Sequence, residues 1–541
     1  MANTTYKSDN VVVGGGLAGI ITALELLNHG QKVVLLDRDK EEKFGGLAKL
    51  SFGGMFFVDT NIQRRAGIKD SVDVALRDWF SVADFGPEDE IPKKWAEQYV
   101  SNATEHVYHF LKAHQVGFFP VVNWVERGMF KPGNTYPRFH LVWGTGHHLS
   151  NQMRDHLLNH PKATTHLQIH FDHRVEEILT EKNHVVGVRG KKEGSNEEFT
   201  AYGENTIVAT GGLGGDIDQV KRNWYKPWGK PPEVILNGAH PYADGRVHQA
   251  VEKVNGKITH LDLTWPYAGG VHHPRPTKPL DGLSLVPPRS ALWLNYQGKR
   301  IGPVPLITAF DTKFLVEEIC KQEKKYSWQV MNIKILNKEL AISGAESNPA
   351  FRDRKILQVA KTLLFGNKPL IKDMLENCED FITANSIEEL AGKMNALTGD
   401  DDVTAENLRE AISNYDTQID MGEKFFNDDQ LRRIQHLRNY RGDRIRTCKF
   451  QKIFDEKHLP LVAIREFVLS RKTLGGIQTD LQGKVLDMKG EPIRGLYAVG
   501  EAAGYGGGGV HGKGALEGTF LGSCVLTGRI AAYDIAGKKL V

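Results

Sequence analysis

NVVVGGGLAG (Asn10–Gly19), followed by KVVLLD (Lys32–Asp37), is the stretch on which the fold turns. Asn10–Val13 reads as a short buried strand and the glycines as a tight turn. Leu17–Leu27 then repeats apolar residues at helical spacing (Ile20, Ile21, Leu24, Leu27), and His29-Gly30 ends that helix. Lys32–Asp37 is a second buried strand that closes on an acid. Strand, turn, helix and strand make a βαβ nucleotide unit. Gly14, Gly16 and Gly19 fit GxGxxG at the required place, and Asp37 stands 18 residues after Gly19, where an acid meets a ribose hydroxyl. Gly14 permits the turn and Gly16 lets a pyrophosphate approach the backbone. The helix start offers that pyrophosphate N–H groups and a partial positive charge. Gly15, Leu17, Ala18 and Arg38 fall on the same expected dinucleotide surface.

The rest of the chain bounds the reading. At 541 residues it is long enough for two or three domains, and 40% hydrophobic, 25% charged residues with 56 glycines describe an α/β enzyme. The 69 basic and 66 acidic residues leave a formal charge of +3, so no strong overall field is expected to attract nucleic acid or anionic lipid. Cys320, Cys378, Cys448 and Cys524 are far apart and form neither a CxxC pair nor a CxxCH haem-attachment site. They point to a reducing cytoplasm. The polar start MANTTYKSDN is no ordinary signal peptide, and no run of about 18 apolar residues predicts a membrane span.

A glycine-rich stretch, GGLAKLSFGGMFFV, covers Gly45–Val58, and a helical region reaches about residue 160. His166–Asn205 alternates apolar and polar residues as an antiparallel ribbon does, and TIVATGG (Thr206–Gly212) is another buried strand ending in glycines. From about 275 to 455 glycine density falls, and charged helices such as Lys313–Gln322 and Ala405–Met421 dominate. Glycine-ended strands return at GLYAVGEAAG (Gly495–Gly504). The expected division is a nucleotide-binding domain made of residues 1–274 and 456–541, with an inserted cap or substrate domain over 275–455.

The C-terminal run GLYAVGEAAGYGGGGVHGKGALEGTFLGSCVLTGRIAA resembles the fumarate reductase and 3-ketosteroid 1-dehydrogenase superfamily of flavoproteins. The first 60 residues, the HRVEEIL to ATGG segment and roughly the last 80 residues carry the likeness; the cap matches poorly. The resemblance implies an α/β fold, a Rossmann-type FAD-binding domain with an inserted α+β cap, and FAD as cofactor. It implies contacts from Gly500 and Glu501 to the ribityl or pyrophosphate region. The helix start at Gly518, Thr519 and Phe520 would meet the flavin N1–C2=O edge, with Gly514 and Leu516 in the loop before it. Gly45, Gly46, Ala48, Ser51 and Gly53 would lie along the ring, Val175 would pair with adenine through its backbone, and Ala209, Thr210 and Gly211 would sit near the adenosine and pyrophosphate. Members with covalent FAD use a histidine in the second glycine stretch; Gly45–Val58 has none, so non-covalent FAD is expected. GGLGGD (Gly211–Asp216) lacks the spacing for a second, NAD(P)H-binding unit.

In this superfamily a hydride moves between flavin N5 and one carbon of a C–C bond, while a protein group handles the proton on its neighbour. The loop GVHGKGALEG keeps His511 but places Ala515 where the fumarate reductases have a carboxylate-binding arginine. Gly514 matches the ketosteroid dehydrogenases, whereas Val510 replaces their tyrosine. The catalytic candidates are His511, Arg289 in PPRSALWLNYQGKRIG, and Tyr505; His273 in HHPRP is a fainter echo of a substrate-binding motif. The expected activity is that of a dehydrogenase or reductase acting on a CH–CH or C=C bond beside a carbonyl, with a small-molecule substrate, an unidentified electron acceptor or donor, and no metal. The alternatives are a flavin oxidase or amine dehydrogenase, and a flavin-binding protein without turnover.

Overall fold

The computed structural model describes residues 4–195 and 197–541. Its chain divides into two compact units: Met1–Asn223, Ala239–Trp265 and Lys472–Val541 form the first, and Trp224–Gly238 with Pro266–Arg471 the second.

The first unit is built around β1 (Asn10–Val13), α1 (Leu17–Asn28) and β2 (Val33–Leu36), continued by β3 (Leu167–His170), β4 (Asn205–Val208), β5 (Pro492–Ala498) and α2 (Thr519–Ile535). The main sheet runs Lys484–Leu486, β5, β4, β1, β2, β3. Its last five strands are mutually parallel. β1 and β2 are buried at every position, as strands covered on both faces must be. Every residue of α1 from Leu17 to Leu27 is also buried, so this is an interior helix rather than an amphipathic one. α2 packs directly on α1: a Cβ at Gly528 would stand 2.9 Å from the Ala18 carbonyl. Arg529 donates to Glu25 across the same seam at 2.5 Å.

The expected ribbon over His166–Asn205 needs one correction. His173–Glu181, His184–Lys192 and Glu198–Tyr202 are antiparallel neighbours, with Thr4–Lys7 added parallel to the last. Leu167–His170 instead joins the main sheet as β3, pairing β2 from Val33↔Leu167 to Leu36↔His170. A four-residue run carries too little periodicity to reveal which sheet it joins.

The second unit holds an eight-stranded sheet whose main path runs Leu292–Leu294, Tyr326–Asn332, Leu461–Thr473, Thr264–His272, Gly282–Val286, Ala341–Ile342. It begins before residue 275 and ends after 455. Leu461–Thr473 pairs with Tyr326–Asn332 over seven residues and with Phe381–Ala384 on its other edge. Falling glycine density marks where the helices start, not where the sheet under them begins.

Candidate FAD cradle and proton-handling groups

The C-terminal ends of β1, β4 and β5 converge on glycine turns, the place where open α/β sheets bind ligands. Gly14 has φ +107°, and a Cβ there would stand 2.5 Å from the Ala209 carbonyl. A Cβ at Gly19 would stand 1.9 Å from the Gly14 carbonyl. Both glycines are therefore required for the helix to press on the strands. Gly16 differs: a Cβ there would meet nothing within 4 Å. It is the N-cap of α1, and no side chain caps that helix. An uncapped helix start with open space beside its N-cap is a ready seat for a phosphate group.

Gly45–Gly53 lies against this turn. Gly45 N donates to Gly15 O at 3.0 Å, a Gly16↔Gly45 bridge joins the two glycine segments, and a Cβ at Gly46 would approach Gly16 Cα to 3.1 Å. The other side of the segment is pressed on the helix Thr145–Leu158. Ser51 Oγ donates to Ala48 O at 2.8 Å, while a Cβ at Gly53 would stand 2.8 Å from Gly146 N.

Asp37 Oδ2 accepts from Gly15 N at 2.6 Å and Oδ1 from Asp39 N at 2.7 Å. Burial pushes this carboxyl upward against those bonds. Arg38 ion-pairs with Glu193 at 3.0 Å and Asp244 at 2.7 Å, and its guanidinium lies 4.2 Å over the Tyr242 ring. Its side chain is thus engaged within the protein. Val175 is buried in the hydrophobic core, but its strand is the terminal one of its sheet, so one backbone edge has no strand partner.

At the end of β4, Ala209 N donates to Val13 O, and the Thr210-Gly211 turn is open: a Cβ at Gly211 would find its nearest atoms 3.9 Å away. Next to it, Glu501 Oε1 accepts from Thr473 N at 2.9 Å, and a Cβ at Gly212 would be 2.7 Å from that oxygen. Gly500, at φ +62°, donates to Thr527 Oγ1 at 2.9 Å and so ties this turn to α2.

α2 also starts without a side-chain cap. Its N-cap Gly518 has φ +96° and accepts from Phe56 N at 2.8 Å. Gly522, four residues on, is also closely approached by protein: a Cβ there would stand 2.0 Å from the Tyr99 hydroxyl, which itself donates to Phe56 O at 3.1 Å.

His511 is fully buried. Its Nε2 lies 2.7 Å from Thr519 Oγ1, and that hydroxyl donates to Leu516 O at 2.7 Å. The shared hydroxyl proton assigns Nε2–H to His511 as donor, leaving Nδ1 as a buried acceptor without a hydrogen-bond partner. Trp79 stacks on the imidazole at 5.6 Å and 8°, with Phe520 at 4.7 Å and Tyr505 edge-on at 5.3 Å. Burial, and then the Lys472 charge, pushes the imidazole down to about 3. His511 is therefore neutral at physiological pH and ties the glycine loop to the start of α2. Tyr505 sits at φ +64° with its ring 5.1 Å from Phe520. Gly514 is held close to Val82, 2.9 Å from its carbonyl for an added Cβ.

Three residues here left no mark in the sequence reading. Trp79 comes from a distant helix, Lys472 lies 3.8 Å over the Phe520 ring and 3.7 Å from Glu517, and Glu517 accepts from Trp265 Nε1 at 2.7 Å. Only proximity in the folded chain unites them.

Arg289 lies in the second unit, where it donates to Asp443 and to Thr447 Oγ1, both at 2.8 Å. Arg446 is close enough that burial, and then the Arg289 charge, lowers its guanidinium to about 10. His273 Nδ1 accepts from Arg275 N at 2.9 Å in an exposed turn. His272, Glu379 and Asp380 cluster within 4.8 Å. Asp380 also accepts from Arg465 at 2.9 Å and holds His272 above its ordinary value, so the group reads as an ion-pair cluster.

This cradle of two uncapped helix starts and open glycine turns defines an FAD-binding flavoprotein. A family profile described as "FAD binding domain" matches residues 9–521. The chain is 39% identical to a KsdD-like steroid dehydrogenase of Mycobacterium tuberculosis, over 98% of this chain and 96% of that protein. It is 37% identical to a KsdD-like steroid dehydrogenase of Mycolicibacterium smegmatis, over 98% and 100%. The 3-ketosteroid Δ1-dehydrogenase of Sterolibacterium denitrificans shares its fold, at TM-score 0.70, 17% identity and coverage of 98% and 99%. The chain belongs to the FAD-binding-domain flavoproteins and, within them, to the family of the KsdD-like dehydrogenases. It is an FAD-dependent oxidoreductase acting on CH–CH bonds. Among the described residues no helix is long and apolar enough to cross a membrane.

Proposed function

We propose that the chain dehydrogenates a CH–CH bond beside the carbonyl of a steroid-like ketone, with FAD held non-covalently. The observation that supports the cofactor seat most is the open space at Gly16 on an uncapped α1. Near full-length identity to proteins named steroid dehydrogenases supports the substrate class. Bound FAD supplies a two-electron acceptor for hydride. Gly14–Gly19 and Thr210-Gly211 would hold its pyrophosphate, Asp37 its ribose and Val175 its adenine edge, with Glu501 at the ribityl or pyrophosphate region and Gly45–Gly53 along the ring. The start of α2 at Gly518, Thr519 and Phe520 stabilises negative charge on the reduced ring.

His511 serves as a positioning residue, since an imidazole titrating near 3 is too weak a base for proton abstraction at neutral pH. Tyr505, whose ring packs against Phe520 at the start of α2, is proposed as the group that exchanges the substrate proton. The test is anaerobic single-turnover bleaching of the flavin band at about 450 nm. 3-Ketosteroids, saturated carboxylates and amines would be compared as hydride donors. Rapid bleaching by a 3-ketosteroid, abolished in Tyr505→Phe, supports the proposal. Bleaching by amines alone overturns it, as does flavin that stays with acid-precipitated polypeptide for the attachment.

A further inference from the structure

The helix Ile356–Phe365 (ILQVAKTLLF) in the second unit turns its apolar side outward. Leu357 is 83% exposed, Phe365 64%, Leu364 58% and Ile356 55%, while Val359 is the buried residue that seats the helix. These are four of the fourteen exposed large hydrophobic residues among the described ones, gathered on ten positions. At 3.6 residues per turn, Ile356, Leu357, Ala360 and Leu364 share one arc of about 100°. Lys361 borders that arc.

The charge around this face is one-sided. Residues 352–372 contain six basic residues (Arg352, Arg354, Lys355, Lys361, Lys368, Lys372) and one acid, Asp353, against +3 for the whole chain. Asp353 is already answered by Arg352 at 2.8 Å and Lys355 at 3.8 Å. Arg354, Lys355, Lys361, Lys368 and Lys372 are exposed. At the C-terminal end, Lys338 Nζ donates to Leu363 O at 3.0 Å, so the last carbonyls are satisfied without burying the apolar arc.

We propose that this helix is an interfacial anchor that lies flat on an anionic phospholipid surface. Leu357, Leu364, Phe365 and Ile356 enter the headgroup–acyl boundary, and Lys355, Lys361 and Lys368 meet the lipid phosphates. A second copy of the chain is the weaker occupant, because a twofold contact would set one cationic rim against the other. One ten-residue helix gives reversible, salt-sensitive attachment rather than insertion.

The test is co-sedimentation of the FAD-loaded full chain with phosphatidylcholine vesicles prepared with and without phosphatidylglycerol. The expected result is binding to the phosphatidylglycerol vesicles, weakened by salt. Binding should fall on the order of tenfold or more in the double variant Leu357→Glu/Phe365→Glu, and by less in Lys361→Glu/Lys368→Glu. Both pairs are exposed, and unchanged flavin content would verify that the variants fold. Failure to bind anionic vesicles at low salt overturns the proposal, as does a double variant that binds like the parent. A concentration-dependent dimer dissolved by Leu357→Glu, without vesicle binding, would assign the face to a second copy instead.

Discussion

In the first unit, Gly14, Gly16, Gly19, Gly46 and Gly518 surround the proposed cofactor seat with bare backbone; in the second, Arg446, His272 and Glu466 are side chains whose protonation is shifted by their surroundings. A seat made of backbone requires particular residues at particular spacings, because any Cβ would collide or fill the space. A wall made of side chains can be built in many ways. The histidines show the same division. His140, His248 and His511 in the first unit are fully buried and pushed down to about 4, about 4 and about 3, whereas Asp380 holds His272 of the second unit up.

The largest expected effect tests whether the glycines differ among themselves. Gly19→Val drives a side chain into the Gly14 carbonyl and should cost about 3 kcal/mol or more, seen as loss of folded protein. Gly16→Val fills open space, so the apo protein should melt like the parent while FAD affinity falls on the order of 100-fold, about 2.7 kcal/mol. If both variants unfold alike, or both bind FAD normally, the backbone seat is misassigned. Asp37→Ala should follow, weakening FAD by about 1.5–3 kcal/mol in a flavin titration, because Gly15 loses its acceptor as well as the ribose.

Smaller effects sharpen the contrast in charge. His511→Gln should cost about 1–2 kcal/mol of stability. It should slow single-turnover reduction by far less than the roughly 10²–10⁴ expected of a proton-transfer group. Its pH signature has a definite sign. Below the ordinary histidine value of about 6.5 the unfolded chain takes up a proton that the buried imidazole refuses until about 3, so the parent loses stability as pH falls through that window. The glutamine variant should lose less over the same range in a melting series. A variant slowed a thousandfold would restore His511 to the chemistry. Glu466 should give a pH dependence of the opposite slope. It is fully buried with neither oxygen hydrogen-bonded, and burial raises it well above the ordinary carboxyl range. The unfolded chain ionises first, so stability falls as pH rises above about 4.5, and Glu466→Gln should flatten that decline.

The same division explains what could be read in advance. The βαβ unit, the antiparallel ribbon, the turn after β4 and the α2 start were legible, because glycine spacing and short apolar runs are local signals. The Ala405–Met421 helix was legible to the residue, with Thr404 accepting from Asn407 N as its cap. β3 was misplaced because four residues cannot declare their sheet, and the edges of the second unit because Leu461–Thr473 resembles any buried strand. Trp79 and Lys472 escaped entirely. Their roles depend on Phe520 and His511, which lie tens to hundreds of residues away.

The contact between Arg529 and Glu25 spans 504 residues. α1 is buried on all sides, and the helix that covers it lies about five hundred residues further along the chain. The proposed nucleotide seat therefore closes only when these two distant stretches meet, and contacts of such high sequence separation are slow to form in folding.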